Sequence, residues 1–216
     1  MSTRALLACG GVAGPLFVLV VMIQDYTRPG FDPRRHALSL LSLDDPGWIQ
    51  IANFAVTGLL YVACAVGLRR ALRPGRADTW GPLFIGAFGA GLVGAGVFRT
   101  APGWGYPQGA PPGLPVETSL SYVLHGVSFL VVLLSLIGAC FVFARGFAAR
   151  GERGWAISCA VTGVALPVIY VLSGVLSGGG TDPRPFSLLL RALALVGWSW
   201  ASLVAVRVMS IAAPAH

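Results

Sequence analysis

Apolar residues run along this chain in six unbroken stretches, separated by short segments that carry its arginines, prolines and acids. The stretches cover about 5–23, 48–68, 81–98, 119–143, 154–176 and 187–206. Each is close to the roughly 20 residues that carry a helix across a hydrocarbon core of about 30 Å. The runs are continuously apolar rather than alternating, so they satisfy their backbone groups in lipid as helices and not as barrel strands. The pattern predicts an all-α, polytopic membrane protein: one domain over residues 1–216, folded as a six-transmembrane-helix bundle. The first run follows Arg4 as a secretory signal would, but it continues to Ile23 without a small-x-small cleavage site and is read as a membrane helix. Cys9 is preceded by too little hydrophobic sequence for a lipoprotein signal.

Composition agrees with a lipid solvent, since 11% charged residues is far below the usual quarter for a globular chain. There is no lysine among the fifteen basic residues, so orientation rests on arginine alone. Arg4, Arg69, Arg70, Arg73, Arg76, Arg145, Arg150, Arg153 and Arg207 fall on one side of the predicted membrane. Arg28, Arg34, Arg35, Arg99, Arg184 and Arg191 fall on the other, together with Asp25, Asp32, Asp44, Asp45, Glu117 and Asp182. The bias places both termini in the cytoplasm of a cell whose plasma membrane the chain spans, with the long Pro/Gly-rich loops outside. The net charge of +7 then lies entirely inside and reads as contact with anionic membrane lipid, not nucleic acid. Trp48, Trp80 and Trp155 stand at helix beginnings as interfacial residues.

Within the third run, Gly86, Ala90 and Gly94 form one small-residue ladder and Ala87, Gly91 and Ala95 an adjacent one. Both predict close helix packing and put this helix at the centre of the bundle. The stretch lacks the Lys-Ser/Thr ending of a phosphate loop. Cys9, Cys64, Cys140 and Cys159 sit inside predicted helices without paired spacing and read as small hydrophobes.

The sequence Gly-x-Asp-Pro-Arg occurs at 30–34 and again at 180–184. Asp followed by Pro is a helix-start pattern, so Asp32 is expected to cap a short interfacial helix, Asp45 the second span and Asp182 the sixth. Other polar residues gather at the same depth. Gln50, Asn53 and Thr57 make one helical stripe, and Thr118, Ser121, His125 and Ser128 another. Asn53 and His125 lie roughly 8–10 Å below the outer surface at helical rise. Polar groups at that depth are expected to face the bundle interior. Together with Arg99 at the end of the third helix, and Ser187 and Arg191 at the start of the sixth, they predict an outward polar vestibule. Trp104 and Tyr106 lie in a loop, 99–117, with five prolines and four glycines, read either as a lid or as a rigid surface segment.

The segments 28–60 (RPGFDPRRHALSLLSLDDPGWIQIANFAVTGLL), 105–111 (GYPQGAP) and 119–129 (SLSYVLHGVSF) resemble a bacterial integral-membrane family designated domain of unknown function 998. The resemblance extends over nearly the whole chain. It implies six membrane helices and carries no activity.

Three functions compete. In the first, an anionic amphiphile, a lipid or isoprenoid, binds at the outer face, with Arg34, Arg35, Arg99, Arg184 and Arg191 as forked anion donors and Asn53, His125, Trp104 and Tyr106 around it. In the second, a membrane-embedded enzyme uses His125, Asp32, Asp182 or Glu117 as general acid or base. A carboxylate converging on His125 at a cavity would favour it. Transport ranks last of the three, because the two Asp-Pro-Arg segments fall on the same side instead of forming an inverted repeat; beside them stands a purely structural role, in which the outer-side ion pairs simply satisfy one another. His36, His125 and His216 are too scattered to hold a metal, and no cofactor is expected. The sequence assigns no oligomeric state.

Overall fold

A computed structural model describes residues 1–72, 76–116 and 119–212, apart from the side chains of 76–78. Arg73, Glu117, Thr118 and His216 therefore lie outside the described residues, as do the side chains of Arg76 and Asp78. The described chain is helical: α1 (Thr3–Thr27), α2 (Gly47–Ala71), α3 (Arg76–Val97), α4 (Leu120–Ala149), α5 (Arg153–Leu176) and α6 (Pro183–Ile211), with a 3-10 turn at Leu38–Ser42 between α1 and α2. All six helices are long and apolar enough to cross a membrane. They extend beyond the expected limits mainly where a turn of mixed polarity continues the helix past the apolar run.

The capping follows side-chain chemistry. Ser2 accepts the Ala5 amide at 3.2 Å, and Ser119 accepts the Tyr122 amide at 3.2 Å. Asp182 caps α6 by accepting the Arg184 amide at 3.0 Å, with Pro183 in the first helical position. The other two Asp-Pro sites differ from expectation. Asp45 does not cap α2, whose N-cap is Pro46 with no side-chain bond. Asp32 closes a tight turn, accepting the Arg34 amide at 2.9 Å, and the helical stretch starts only at Leu38. At these sites the chain has to reverse before it can enter a helix. Asp44 bends it with a left-handed backbone (φ 67°), and Gly47 presses on the Ser42 carbonyl so closely that no Cβ would fit.

Each helix packs against its neighbours in sequence, and α6 returns to α1, so the bundle is a closed ring. No helix is central in such a ring, which corrects the expectation for α3. Helix α3 is nonetheless gripped closely on both sides. Its tightest crossing uses Gly89 against Gly58 of α2, where a Cβ on either would stand 2.5 Å from the other's carbonyl oxygen. Gly91 and Gly94, one from each predicted ladder, both meet α4, at Val132 and Ser128, whereas Gly86 faces Ala65 of α2 and Ala90 is exposed, so neither ladder acts as one continuous packing stripe.

The ring is filled by aromatic side chains. Trp198 stacks on Phe17 with centroids 5.1 Å apart and meets Phe88 edge-on at 5.0 Å; Phe88 lies 4.7 Å from Tyr61. Hydrogen bonds join the same helices: Tyr61 donates to the Trp198 carbonyl at 3.1 Å, and Ser202 donates to the Gly10 carbonyl at 2.7 Å. The four cysteines are free, as expected for small apolar residues.

Replacing Gly58 by alanine is expected to cost about 1–3 kcal/mol through overpacking. Gly174→Ala, with nothing within 4 Å of the added carbon, is expected to be neutral or slightly stabilising. Thermal unfolding of both variants in detergent checks the contrast.

Candidate functional site

Above the aromatic plug, at the end of the ring opposite the termini, lies a cavity of about 330 Å³. Phe17 and Trp198 form part of its floor, and its walls come from Phe54, Leu92, Val132, Phe129 and Leu193. The connections roof it: Ala37 to Leu40 from the first, and Thr100, Ala101, Trp104, Leu114 and Pro115 from the third. The lining is predominantly apolar, in contrast to the polar vestibule expected from the stripes. Neutral polar groups are few, and His125 is the chief one.

The His125 Nδ1 lies 2.8 Å from the Phe98 carbonyl. A carbonyl only accepts, so Nδ1 carries the proton and Nε2 is left as an acceptor on a residue that lines the cavity. This partner is a backbone group at the end of α3, not the serines on its own helix. Ser121 instead clamps the same helix end, accepting the Arg99 amide at 2.8 Å and donating to the Arg99 carbonyl at 3.1 Å.

The roof is a folded loop. Trp104, in a left-handed conformation (φ 60°), donates its amide to the Gly113 carbonyl at 2.7 Å, and Gly105 donates to the Pro111 carbonyl at 2.8 Å. His36 fastens this loop to the first one. Its Nδ1 accepts the Asp32 amide at 2.9 Å, so Nε2 carries the proton donated to the Trp104 carbonyl, 3.1 Å away. The ring packs beside Phe31 and Tyr106. Burial lowers the His36 pKa, and the bond to the Trp104 carbonyl offsets part of that effect.

Beside the cavity the two Gly-x-Asp-Pro-Arg segments come together. Asp32, Arg34, Arg35, Thr181, Asp182, Pro183 and Arg184 line one open cleft. Each aspartate turns back on its own arginine. Arg184 binds both oxygens of Asp182, at 2.9–3.2 Å, and Arg34 binds Asp32 at 3.2 Å. The Arg34 amide, then its guanidinium, holds the Asp32 pKa below the usual carboxylate value; for Asp182 the guanidinium of Arg184 is the larger influence. The Arg35 side chain is exposed and makes no hydrogen bond or ion pair among the described residues, while its amide donates to the Asp32 carbonyl at 2.9 Å.

The remaining expected site residues lie elsewhere. Arg191 is committed to Asp25 through two bonds of 2.8 and 3.0 Å, and also donates to the His36 carbonyl and the Ser187 hydroxyl. Asn53 donates to the Phe17 carbonyl at 3.2 Å and to Gln50 at 3.3 Å, inside the α1–α2 contact. Tyr106 is buried against Phe31 and His36 instead of lining the cavity. Arg99 is exposed and outside the cavity lining. Asp32 and Asp182 belong to the cleft, apart from His125, and Glu117 lies outside the described residues. Sequence reasoning gave no site role to Arg28, a buried guanidinium that directly follows α1 because the helix runs on to Thr27, beyond the apolar run read to about 23. Among the described residues no cluster of His, Cys, Asp or Glu has the arrangement of a metal site.

A ring of six membrane-length helices around a roofed apolar cavity defines a multi-pass membrane protein with an internal compartment near one surface. The chain belongs to the family described as "Protein of unknown function (DUF998)", whose model matches residues 12–207. No curated protein and no solved structure matches it.

Two measurements probe the roof and its support. Arg191→Met is expected to cost about 3–5 kcal/mol, because Asp25 is left buried without its partner; adding Asp25→Asn recovers part of the loss in thermal unfolding. Because the folded chain favours neutral His36, its contribution is complete above the ordinary value of about 6.5 and is lost as pH falls through the lowered folded value. The wild type is expected to lose stability on acidification across that window, with a flatter slope for His36→Phe, read by unfolding midpoints at a series of pH values.

Proposed function

We propose that this protein binds a single-chain anionic amphiphile, a lipid or isoprenoid, taken from the outer leaflet of the plasma membrane. Its apolar part occupies the cavity and its charged group lies at the arginine cleft. The supporting observation is continuity: the first connection lines the cleft with residues 32–35 and the cavity with 37–40, while the start of α6 lines the cleft with 182–184 and the cavity with Phe186 and Leu190. A cavity of about 330 Å³ sits at the low end of the ligand pockets of about 300–1,000 Å³, which suits one chain better than two. Arg35 supplies the donors for the anionic group, since Arg34 and Arg184 already hold aspartates. The arginine bias orients this end outward and leaves both termini in the cytoplasm.

The competing reading as an enzyme needs a carboxylate near His125, and among the described residues none lines the cavity. The binding reading therefore carries the better support.

Native mass spectrometry of the detergent-purified protein, with extraction of bound lipid, tests this reading. The wild type is expected to retain a defined single-chain species. Ala194→Phe, which fills the cavity from a lining position, is expected to lower its occupancy at least tenfold while the protein stays folded. Arg35→Ala is expected to weaken anionic species selectively. Equal occupancy in wild type and Ala194→Phe would sink the proposal. Labelling of Gln108→Cys in intact cells by an impermeant thiol reagent checks the orientation, and absence of labelling would reverse it.

A further inference from the structure

Arg28 follows the last residue of α1 and is 6% exposed. Its Nη2 contacts three neutral acceptors: Gln24 Oε1 at 2.7 Å, the Pro46 carbonyl at 2.9 Å and the Leu41 carbonyl at 3.2 Å. Its Nη1 contacts none. The ion pairs among the described residues belong to Arg34, Arg184, Arg191 and Arg207, so Arg28 is a buried cation with no carboxylate partner. Removing such a charge from water costs several kcal/mol that neutral acceptors only partly return.

The surroundings repeat the deficit. Four buried side-chain polar atoms lack a hydrogen-bond partner among the described residues, and three belong to this patch: Arg28 Nη1, the Tyr106 hydroxyl and Gln50 Nε2. Tyr106 is 2% exposed and Gln50 is fully buried. The Arg28 guanidinium adjoins the Tyr106 hydroxyl without a well-formed hydrogen bond between them. Gln50 joins the same network through its oxygen, which accepts from Gln24 at 2.8 Å, and Gln24 in turn accepts from Arg28. The three unpartnered groups can all donate, and the exposed carboxylate of Asp44 acts on Tyr106 through charge alone, with no hydrogen bond or ion pair to Arg28. What such a set lacks is a negatively charged acceptor.

We infer that Arg28 and Tyr106 form a buried site for a small inorganic anion of halide type, held by Arg28 Nη1 and the Tyr106 hydroxyl. Neither residue lines the amphiphile cavity or the arginine cleft, and two donors, one guanidinium nitrogen and one hydroxyl, suit a monatomic ion better than a phosphate with its several oxygens to satisfy. The anion neutralises Arg28 where the first loop, the start of α2 and the roof loop meet. It gives the protein a structural dependence on halide that is separate from ligand binding.

The test uses the whole purified protein, moved into gluconate buffer and titrated with sodium bromide at constant ionic strength. The unfolding midpoint of the wild type is expected to rise saturably with bromide. A crystal grown in bromide is expected to show its anomalous signal beside Arg28 Nη1. Tyr106→Phe removes only the hydroxyl and is expected to weaken the apparent bromide affinity about tenfold, the usual consequence of losing one hydrogen bond to a charge. Arg28→Met is expected to abolish the response; should that variant not fold, the wild-type crystal and Tyr106→Phe decide. A flat bromide titration, a titration unchanged in Tyr106→Phe, or a water in place of bromide beside Nη1 would each overturn the inference.

Discussion

Arg191 joins three parts of this protein at its rim: the end of α1, the first loop and the start of α6. From the first turns of α6 its guanidinium binds Asp25 near the end of α1, which closes the ring on this side, and it also takes the backbone carbonyl of His36. His36 in turn holds the Trp104 carbonyl, so the roof loop is tied through one histidine to the ion pair below it. In lipid there is no hydrophobic force to press helices together, and polar contacts of this kind, with close packing, decide which helices meet. The cavity exists because the connection is made at the rim and the aromatic plug is set deeper. The space between them is the cavity.

The plug and the rim also explain why the interior is apolar although the sequence offers two polar stripes. Gln50 and Asn53 are consumed inside the α1–α2 contact, and Ser121 is consumed at the end of α3. Backbone carbonyls freed at helix ends and by close crossings are the partners in most of these cases. Of the inward-facing polar residues, His125 alone combines a fixed tautomer with a place on the cavity wall.

The six spans were legible because twenty apolar residues in a row admit few other interpretations. The capping role of Asp182 was legible for the same local reason. The pairing of Asp25 with Arg191 was not, since the two are 166 positions apart and Asp25 has Arg28 much closer along its own helix. Nor was the cavity, whose lining of Phe, Leu and Ala reads like any packed face until the plug is seen to stop short. The repeated Gly-x-Asp-Pro-Arg segments meet in space, lining one cleft. Their arginines, however, turn mainly to their own aspartates, a choice set by the geometry of each tight turn.

A ring built from sequential neighbours has a bearing on the order of biosynthesis. Helices α1 to α5 can each find a partner as soon as the next segment emerges from the ribosome, but the contact between α1 and α6 joins the two helices of the ring that lie furthest apart along the chain. Until α6 arrives, α1 presents Asp25 and the flank of Phe17 to lipid or to whatever insertion factor attends it. The compartment therefore closes only once α6 has taken its place in the ring, because α6 supplies one of its walls.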